Sequence, residues 1–579
     1  MSSSQRHTFV KNQATAWPVP NTWDWLALIL LVALVFFLGW GASGLLGQYT
    51  LGQSVTVSLS PQYLPYYAGL TVLRMFIALF FSLLFTFTVG TWAAKSPAAE
   101  RILIPLIDLL QSVPVLGFLS ITVVGFIVLF RGSMLGPECA AIFAIFTAQV
   151  WNMTLSFYQS LKQLPDDLKE ASLILQLSSW QQFWRVEVPF AMPGLIWNVM
   201  LSLSSSWIFL VASEAISVAR QKIFLPGVGS YIATAIADRN LAAIGYVIIT
   251  MSVVIWVVDQ LFFRPLVAWS EKFRRESAPD EEEATSWVLD FFQRTRLCRY
   301  FGACLKKGWD GFVNARIFKR LTRRKRGLST SWHWPSVILW RLSIIVWLVW
   351  AVWVIVAFII DMVTLTEMGH VVYYGLITAL RVFAAIIVSS LIWVPVGVWV
   401  GMRPRVMAWV QPVAQWLAAF PMNLVYPAAV WCILRYHLSV DLWVSPLMVL
   451  GAQWYILFNV IAGAAAIPKN LHHAAGSLGV KGSLWWRKLV LPALYPYYIT
   501  GVITAAGAAW NVSILVEALE WGTHKLWAHG LGAYIVKASL AADYQRLALG
   551  IVTMALYVLV INHCVWRPLH QRAQERFKF

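Results

Sequence analysis

Two polar stretches interrupt the apolar runs of the chain, 170-EASLILQLSSWQQFWRVEVP-189 and 473-HAAGSLGVKGSLWWRKLVLP-492. They stand in the same register, 303 residues apart. Each begins with small residues, carries charges or amides, ends in a proline and precedes an apolar run. This pattern predicts a short amphipathic helix that lies along a membrane surface before the chain enters the bilayer.

The same offset relates much longer segments, because 165–266 aligns without a gap with 468–569. Nearer the start of each half the offset is 307, where 71-TVLRMF-76 matches 378-TALRVF-383. The matched residues include prolines, tryptophans, glutamates and glycines, as in Pro189/Pro492, Trp207/Trp510, Glu214/Glu517 and Gly227/Gly530. Shared hydrophobicity cannot match such residues in one register. The sequence therefore predicts two tandem copies of one domain.

The composition is that of a membrane protein. Of 579 residues 59% are hydrophobic and only 12% are charged, against about 25% charged in soluble domains. Apolar runs near the ~20 residues that cross a bilayer recur, for example at 25–40, 75–94, 337–360 and 551–565. They are too long and continuous for barrel strands, so we expect an all-α polytopic protein. The first run exceeds a signal peptide's apolar region of about 7–15 residues, which favours an uncleaved helix.

The net charge of +18 is compatible with nucleic-acid binding. The positive-inside rule explains it better, because Lys and Arg cluster in a few inter-helix segments. By this rule both termini and the segments 162–189 and 468–492 are cytoplasmic, whereas 41–73 and 214–242 are external. Each copy then has about six spans, about 12 in all, and the repeats are parallel.

Between the copies lies a long hydrophilic linker. We predict a first domain at 1–266, a cytoplasmic linker at 267–333 and a second domain at 334–579. Residues 264–326 hold 16 Lys or Arg and 8 Asp or Glu, including 280-DEEE-283 and 323-RRKR-326. The basic run could bind phosphoinositide or nucleic acid. A topology anchor on anionic lipid is the favoured interpretation. The five cysteines have neither the spacing of a metal site nor that of a disulfide framework.

The segments 165–189 and 468–492 resemble the EAA loop of ABC-importer permeases. The family pattern is Glu-Ala-Ala, three residues, Gly, nine residues, then Ile-x-Leu-Pro. The residues on this pattern are Glu170, Ala171, Ser172 and Pro189 in the first copy, and Ala474, Ala475, Gly479 and Pro492 in the second. Each copy departs from it once in an important place, because Gln176 replaces the glycine and His473 replaces the glutamate.

This resemblance implies two tandem type I ABC-importer permease domains in a bacterial cytoplasmic membrane. Each EAA loop would dock on one of two ABC ATPase subunits, and ATP-Mg would be bound there. The chain itself has no G-x-x-x-x-G-K-[ST] loop, so we expect no bound cofactor and no enzyme activity of its own. The other implied partners are a periplasmic or lipid-anchored substrate-binding protein and membrane lipid, with no nucleic acid. An ordinary interfacial helix is the alternative to a docking loop.

Further motifs make the chain most similar to the nitrate, sulfonate, taurine and bicarbonate permeases, in duplicated form. They are the early arginine of 71-TVLRMF-76, the proline of 111-QSVPVLGFL-119 and the Trp-to-Glu stretch 207-WIFLVASEA-215 followed by Gly-x-Gly. The similarity implies a small anion as substrate. Alternatives are an iron or thiamine permease, a 12-helix secondary transporter driven by an ion gradient, and a membrane scaffold without transport activity.

Charged residues inside spans indicate function or pairing, because they are costly in lipid. Arg74 and Arg381 could attract an anion to the path, or could neutralise Glu214 and Glu517 in structural ion pairs. We favour the ion pairs, because a glutamate in an anion path makes little sense.

Trp207 and Trp510, with 204–206 and Gly507, could line the path or pack helices together. His472 and His473 are neighbours and would point in different directions on a helix, so no metal site is predicted. His473 is instead interpreted as a substituted coupling residue.

Overall fold

The computed structural model describes residues 24, 25, 28, 57–218, 221–270, 287–315, 334–522 and 524–576. Most of the predicted first span at 25–40, the acidic patch 280–283 and the basic run 323–326 lie outside these residues. The described part is almost entirely helical, as expected of segments whose backbone groups must be satisfied within lipid.

The first half consists of helices and one short antiparallel hairpin. Its elements are α1 (Pro61–Lys95), α2 (Pro97–Ser112), α3 (Val115–Leu129), α4 (Leu135–Lys162), α5 (Asp166–Ile174), α6 (Ser179–Glu214), β1 (Ala215–Val218), β2 (Gln221–Phe224), α7 (Val228–Ala237) and α8 (Leu241–Ser270).

The second half repeats this order after two linker helices, α9 (Trp287–Arg294) and α10 (Arg296–Val313). Its elements are α11 (Trp334–Ile360), α12 (Leu365–Gly401), α13 (Pro404–Ala419), α14 (Tyr426–Arg435), α15 (Val440–Ala465), α16 (Lys469–Ser477), α17 (Gly482–Val516), β3 (Ala518–Trp521), β4 (His524–Trp527), α18 (Leu531–Ala541) and α19 (Tyr544–Ala573).

Eight helices of the described residues are long and apolar enough to cross a membrane, namely α1, α4, α6, α8, α12, α15, α17 and α19. A ninth span forms if α13 and the following Met422–Arg435 are taken together, although they bend by 68°. Large apolar side chains such as Phe80, Ile249, Leu391 and Leu556 are exposed on the outer surfaces of these helices. Lipid would cover them, so the predicted all-α polytopic membrane protein is confirmed, with the two hairpins as small additions. The total of twelve spans stays a prediction.

From the sequence, the prolines that end the two polar stretches were expected to mark the entry into a spanning helix. Pro189 and Pro492 do not stand at such an entry. They lie ten residues inside α6 and α17, and one residue separates each of them from the preceding π-helical turn, Phe183–Glu187 or Trp486–Val490. A proline ring clashes with the carbonyl four residues earlier and lacks an N–H. A wider turn before the proline removes that clash, so the helix continues through it. Two further π-helical turns, Asp259–Phe263 and Asn562–Trp566, precede Pro265 and Pro568.

The two halves pack against each other through reciprocal contacts near the middle of the molecule. The backbone N–H of Val115 donates to Asn511 Oδ1 (3.0 Å), and Asn423 Nδ2 donates to the Ile208 carbonyl (3.4 Å). Ile208 and Asn511 are equivalent residues of the repeat. The largest buried apolar cluster also draws side chains from both halves. The interface between the copies is therefore continuous with their cores.

Candidate coupling and translocation sites

The first half of each EAA-like loop is a short helix that ends in the same turn. The N–H of Leu177 donates to the Ser172 carbonyl (3.1 Å), and that of Val480 donates to the Ala475 carbonyl (2.9 Å). The residue before each donor is left-handed, with φ of 50° at Gln176 and 67° at Gly479. This is the helix C-terminal motif that favours glycine. Gln176 therefore adopts a conformation that costs a non-glycine residue about 1–2 kcal/mol.

The two coupling helices, α5 and α16, present small and apolar side chains outward. Glu170, Ala171, His473 and Ala474 are exposed, whereas Ser172 is buried and Ala475 is half-buried. At the turns Ile174 is 81% exposed and Leu478 is 80% exposed. Apolar side chains grouped at such a surface mark an interaction site.

The first turn of α5 is acidic, and a neighbouring lysine forms an ion pair with it. Lys169 Nζ lies 2.8 Å from Asp166 Oδ1. This hydrogen bond, together with the lysine charge, lowers the pKa of Asp166 below its usual value. The carboxylate therefore stays ionised at the helix N-terminus, where the helix dipole favours negative charge.

In the first half the predicted arginine and glutamate form a buried ion cluster with a third residue, Glu138. Arg74 Nη1 donates to Glu214 Oε1 at 2.6 Å. Its Nε and Nη2 donate to the two oxygens of Glu138, both at 2.6 Å. Thr71 Oγ1 also donates to Glu214 Oε1 (2.7 Å). Two carboxylates thus occupy this guanidinium, and the pairing is bidentate towards Glu138.

The second half has an equivalent cluster that is more open. Arg381 Nη1 donates to Glu517 Oε1 at 3.0 Å, and Arg381 Nη2 donates to Asp441 Oδ1 at 2.8 Å. Asp441 stands at the repeat position of Glu138. Its side chain is 48% exposed, whereas that of Glu138 is 3% exposed. Asp441 also accepts a hydrogen bond from the backbone N–H of His529 (2.7 Å). Glu138 and Asp441 were not predicted from the sequence, although their acidic match at offset 303 was a usable signal.

The Gly-x-Gly motif explains why each glutamate is buried. The N–H of Gly229 donates to Glu214 Oε2 and that of Gly532 donates to Glu517 Oε2, both at 2.7 Å. A Cβ at Gly227 would lie 2.3 Å from Glu214 Cδ, so only glycine permits this approach. Each glutamate therefore receives the N-terminus of the following helix, α7 or α18. The small hairpins β1–β2 and β3–β4 each connect the buried glutamate to the helix that follows. They were not predicted from the sequence.

A central cavity of about 180 Å³ lies between the two halves. Its walls come from equivalent positions, since Ser204 faces it with Gly507, and Trp151 faces it with Trp454. The other polar lining residues are uncharged: Gln111, Thr147, Asn152, Ser205, Tyr455, Thr504 and Asn511. Trp454 is buried, and its indole N–H has no hydrogen-bond partner among the described residues. Matching residues of both halves thus form the wall of the cavity, and a buried, unpaired donor lies within this wall.

Several predicted pathway residues do not line this cavity. Trp207 is 1% exposed within the core, and Trp510 stacks against Tyr557 with ring centroids 6.3 Å apart. Arg74 and Arg381 are held in the ion clusters and are absent from the cavity wall. For the two tryptophans, this geometry agrees with helix packing and not with lining of the path. For the two arginines, it agrees with ion pairing and not with attraction of an anion. Ser204, Ser205 and Gly507 do line the cavity. No three His, Cys, Asp or Glu side chains in the described ranges are placed to hold a metal ion.

The sequence matches one family model twice, at residues 86–264 and 393–567, which together cover more than half of the chain. The family is described as binding-protein-dependent transport system inner membrane component. Each match falls inside one of the two predicted domains, although the domain boundaries themselves stay predictions.

Three curated relatives illustrate the range of similarity. The taurine transport system permease protein of Escherichia coli is 29% identical over 30% of this chain and 61% of its own length. The glycine betaine/proline betaine permease protein of the same organism is 28% identical over 39% and 60%. A nitrate import permease protein of Synechocystis is 25% identical over 29% and 57%. The chain thus spans about three fifths of the length of these relatives.

Proposed function

Because the chain belongs to the family of binding-protein-dependent transport system inner membrane components, we propose that it forms the translocation path of an ATP-driven importer for a small anion. The chain is a multi-pass, duplicated ABC permease, and its relatives are transport subunits. Its two copies would enclose the path at the central cavity, where equivalent residues of both halves meet.

The free indole N–H of Trp454 is the observation that favours an anion. It is a buried donor without a partner inside the wall of the cavity, and such a donor is stabilised if a movement of the wall lets a ligand accept its hydrogen bond. The hydroxyl and amide groups around it carry no net charge. A cavity of about 180 Å³ suits a small solute. Taurine, nitrate and bicarbonate appear in the names of the similar permeases, although betaine appears there as well.

Two ABC ATPase subunits, which bind ATP-Mg, would dock on α5 and α16. The exposed alanines and the exposed Ile174 and Leu478 form an apolar surface that such a partner would cover. When the ATPases close, the two coupling helices would move towards each other and change the access of the cavity. A periplasmic or lipid-anchored binding protein would deliver the anion on the opposite face. The membrane would be a bacterial cytoplasmic membrane, with both termini cytoplasmic.

The test is uptake by proteoliposomes that contain the full chain with its ATPase and binding protein. We expect ATP-dependent uptake of taurine, nitrate or bicarbonate, and we expect Trp454→Phe to reduce it about tenfold, since a hydrogen bond to a charged group contributes ~1.5–3 kcal/mol. Trp256→Phe, at an exposed position on the outer surface, is the matched control.

Two results would contradict this proposal. Uptake that persists without ATP under an ion gradient would indicate a secondary transporter. Uptake of iron, thiamine or betaine alone, unchanged by Trp454→Phe, would retain the permease and exclude the anion.

A further inference from the structure

The linker helix α10 packs against the segment that follows the first coupling helix. The rings of Trp184 and Trp309 meet edge to face, with centroids 4.7 Å apart, and those of Trp180 and Phe312 are 5.3 Å apart. Trp180 Nε1 also donates to the Phe312 carbonyl (3.4 Å). These contacts connect the linker to the cytoplasmic start of α6.

Hydrogen bonds between the same two segments accompany this ring packing. Asn314, just after α10, accepts hydrogen bonds at Oδ1 from Gln181 Nε2 (2.8 Å) and from Arg185 Nη2 (3.2 Å). Gln181 in turn caps the first turn of α6, because its side chain accepts from the Ser178 backbone N–H (3.2 Å). The position of α10 is therefore linked to the turn that joins α5 to α6.

The second coupling loop lacks the residues for such a contact. At the repeat offset, Trp180, Gln181 and Trp184 become Ser483, Leu484 and Arg487. The indole rings and the amide are missing at these three positions, and the two tryptophans of the second loop stand instead at 485 and 486. The docking surface for α10 is thus specific to the first loop.

The rest of α10 is exposed, and it is both apolar and basic. Leu305 is 72% exposed and Tyr300 is 53% exposed, and the neighbouring basic side chains Arg299, Lys306 and Lys307 are exposed too. Residues 287–315 hold five Lys or Arg and two Asp, a net charge of +3. A helix with an apolar side and a basic side binds the surface of an anionic bilayer.

The start of the linker is fixed beside a membrane span, which places α10 near the bilayer. Trp287 Nε1 donates to Gln260 Oε1 of α8 (3.1 Å). Only Thr295 separates α9 from α10. A basic amphipathic helix at this place lies within reach of lipid headgroups.

We propose that α10 is a membrane-surface helix that binds anionic lipid headgroups and orders the first coupling loop when it is bound. Anionic lipid then stabilises one coupling loop and leaves the other unaffected. The inference rests on the proposed function only where it identifies that loop as an ATPase docking surface.

The experiment is hydrogen exchange on the full chain, reconstituted in nanodiscs of phosphatidylcholine alone or of phosphatidylcholine with phosphatidylglycerol. We expect phosphatidylglycerol to slow exchange in 296–313 and in 179–187, while 482–490 of the second loop serves as an internal control. Each basic residue near an anionic leaflet strengthens association about fivefold. Lys306→Glu with Lys307→Glu should therefore abolish the lipid effect on both segments.

A second variant separates lipid binding from transmission. Trp309→Ala should keep the phosphatidylglycerol effect in α10 and weaken it in 179–187, because the ring contact with Trp184 is gone while the contacts of Phe312 and Asn314 remain. Equal exchange in both lipids, or a lipid effect that survives the double charge reversal, would overturn the proposal. Neither readout depends on transport, so a failure here leaves the assignment as a permease intact, and a failure of uptake leaves this result intact.

Discussion

At residue 176 the chain places glutamine in a left-handed conformation that its repeat partner fills with glycine. We expect Gln176→Gly to stabilise the end of α5 by about 1 kcal/mol and Gly479→Ala to destabilise the end of α16 by a similar amount. A Cβ at residue 479 meets no neighbouring atom within 4 Å, so the cost is purely one of backbone conformation. Exchange of the Leu177 and Val480 amide protons measures both effects. Unchanged exchange at both amides would contradict this account of the glycine.

The two ion clusters give a second comparison at single residues. Glu138→Ala removes a nearly inaccessible bidentate partner of Arg74, and breaking such a buried pair costs about 3–5 kcal/mol. Asp441→Ala removes a half-exposed partner of Arg381, for which about 1 kcal/mol is expected. Thermal unfolding in detergent should therefore show a clearly larger decrease in Tm for Glu138→Ala. Lys169→Ala, which removes an exposed ion pair with Asp166, is the control. Equal decreases for Glu138→Ala and Asp441→Ala would be inconsistent with the difference in burial.

At the scale of the element, the two coupling helices have the same backbone and different surfaces. The first helix exposes Glu170, and α10 contacts the segment that follows this helix. The second helix exposes His473. We expect Glu170→Ala to impair ATP-driven uptake more than His473→Ala does, because only Glu170 keeps the family's glutamate. Asp167→Ala, exposed on the same helix as Glu170, is the control. Equal impairment by the two substitutions would mean that the two ATPase contacts are equivalent.

Other features of these elements depend on contacts between segments, and the sequence could not predict them. The matched prolines marked the start and end of each loop, but they did not predict the π-helical turns that precede Pro189 and Pro492. The hairpins after Glu214 and Glu517 are only four residues per strand. Strands so short carry little periodicity of their own, and their position follows from the buried glutamates. The tryptophans at positions 180 and 184 of the first loop were visible in the sequence, but the helix that covers them was not.

At the scale of the molecule, the duplication was readable because prolines, glycines and charges recur in register. The all-helical fold followed from the length of the apolar runs. The wall of the cavity was only partly predictable, since Ser204 and Gly507 line it whereas Trp207 and Trp510 face the core. A tryptophan suits either place by composition. The packing of α6 and α17 against their neighbours decides whether such a tryptophan faces the cavity or the core.

The central cavity leads to a prediction for the whole molecule. Gly507 has open space around it, so a larger side chain there projects into the cavity without moving other atoms. Gly507→Leu should therefore abolish uptake and leave Tm and ATPase assembly nearly unchanged. Ala506, buried in the core of the second half, is the matched site, where Ala506→Leu should lower Tm instead. Normal uptake by Gly507→Leu would show that the solute passes elsewhere.

The length of α6 has a mechanical consequence. Its 36 residues correspond to about 54 Å of helix at 1.5 Å per residue, whereas the hydrocarbon layer is about 30 Å thick. Even when the helix is tilted, a large part of it stands outside the bilayer, and the π-helical turn at Phe183–Glu187 lies near its N-terminal end. The same holds for α17, which has 35 residues. Each of these two helices is thus long enough to extend into the aqueous phase. A force applied to its end there can be transmitted to the part of the helix that lines the cavity.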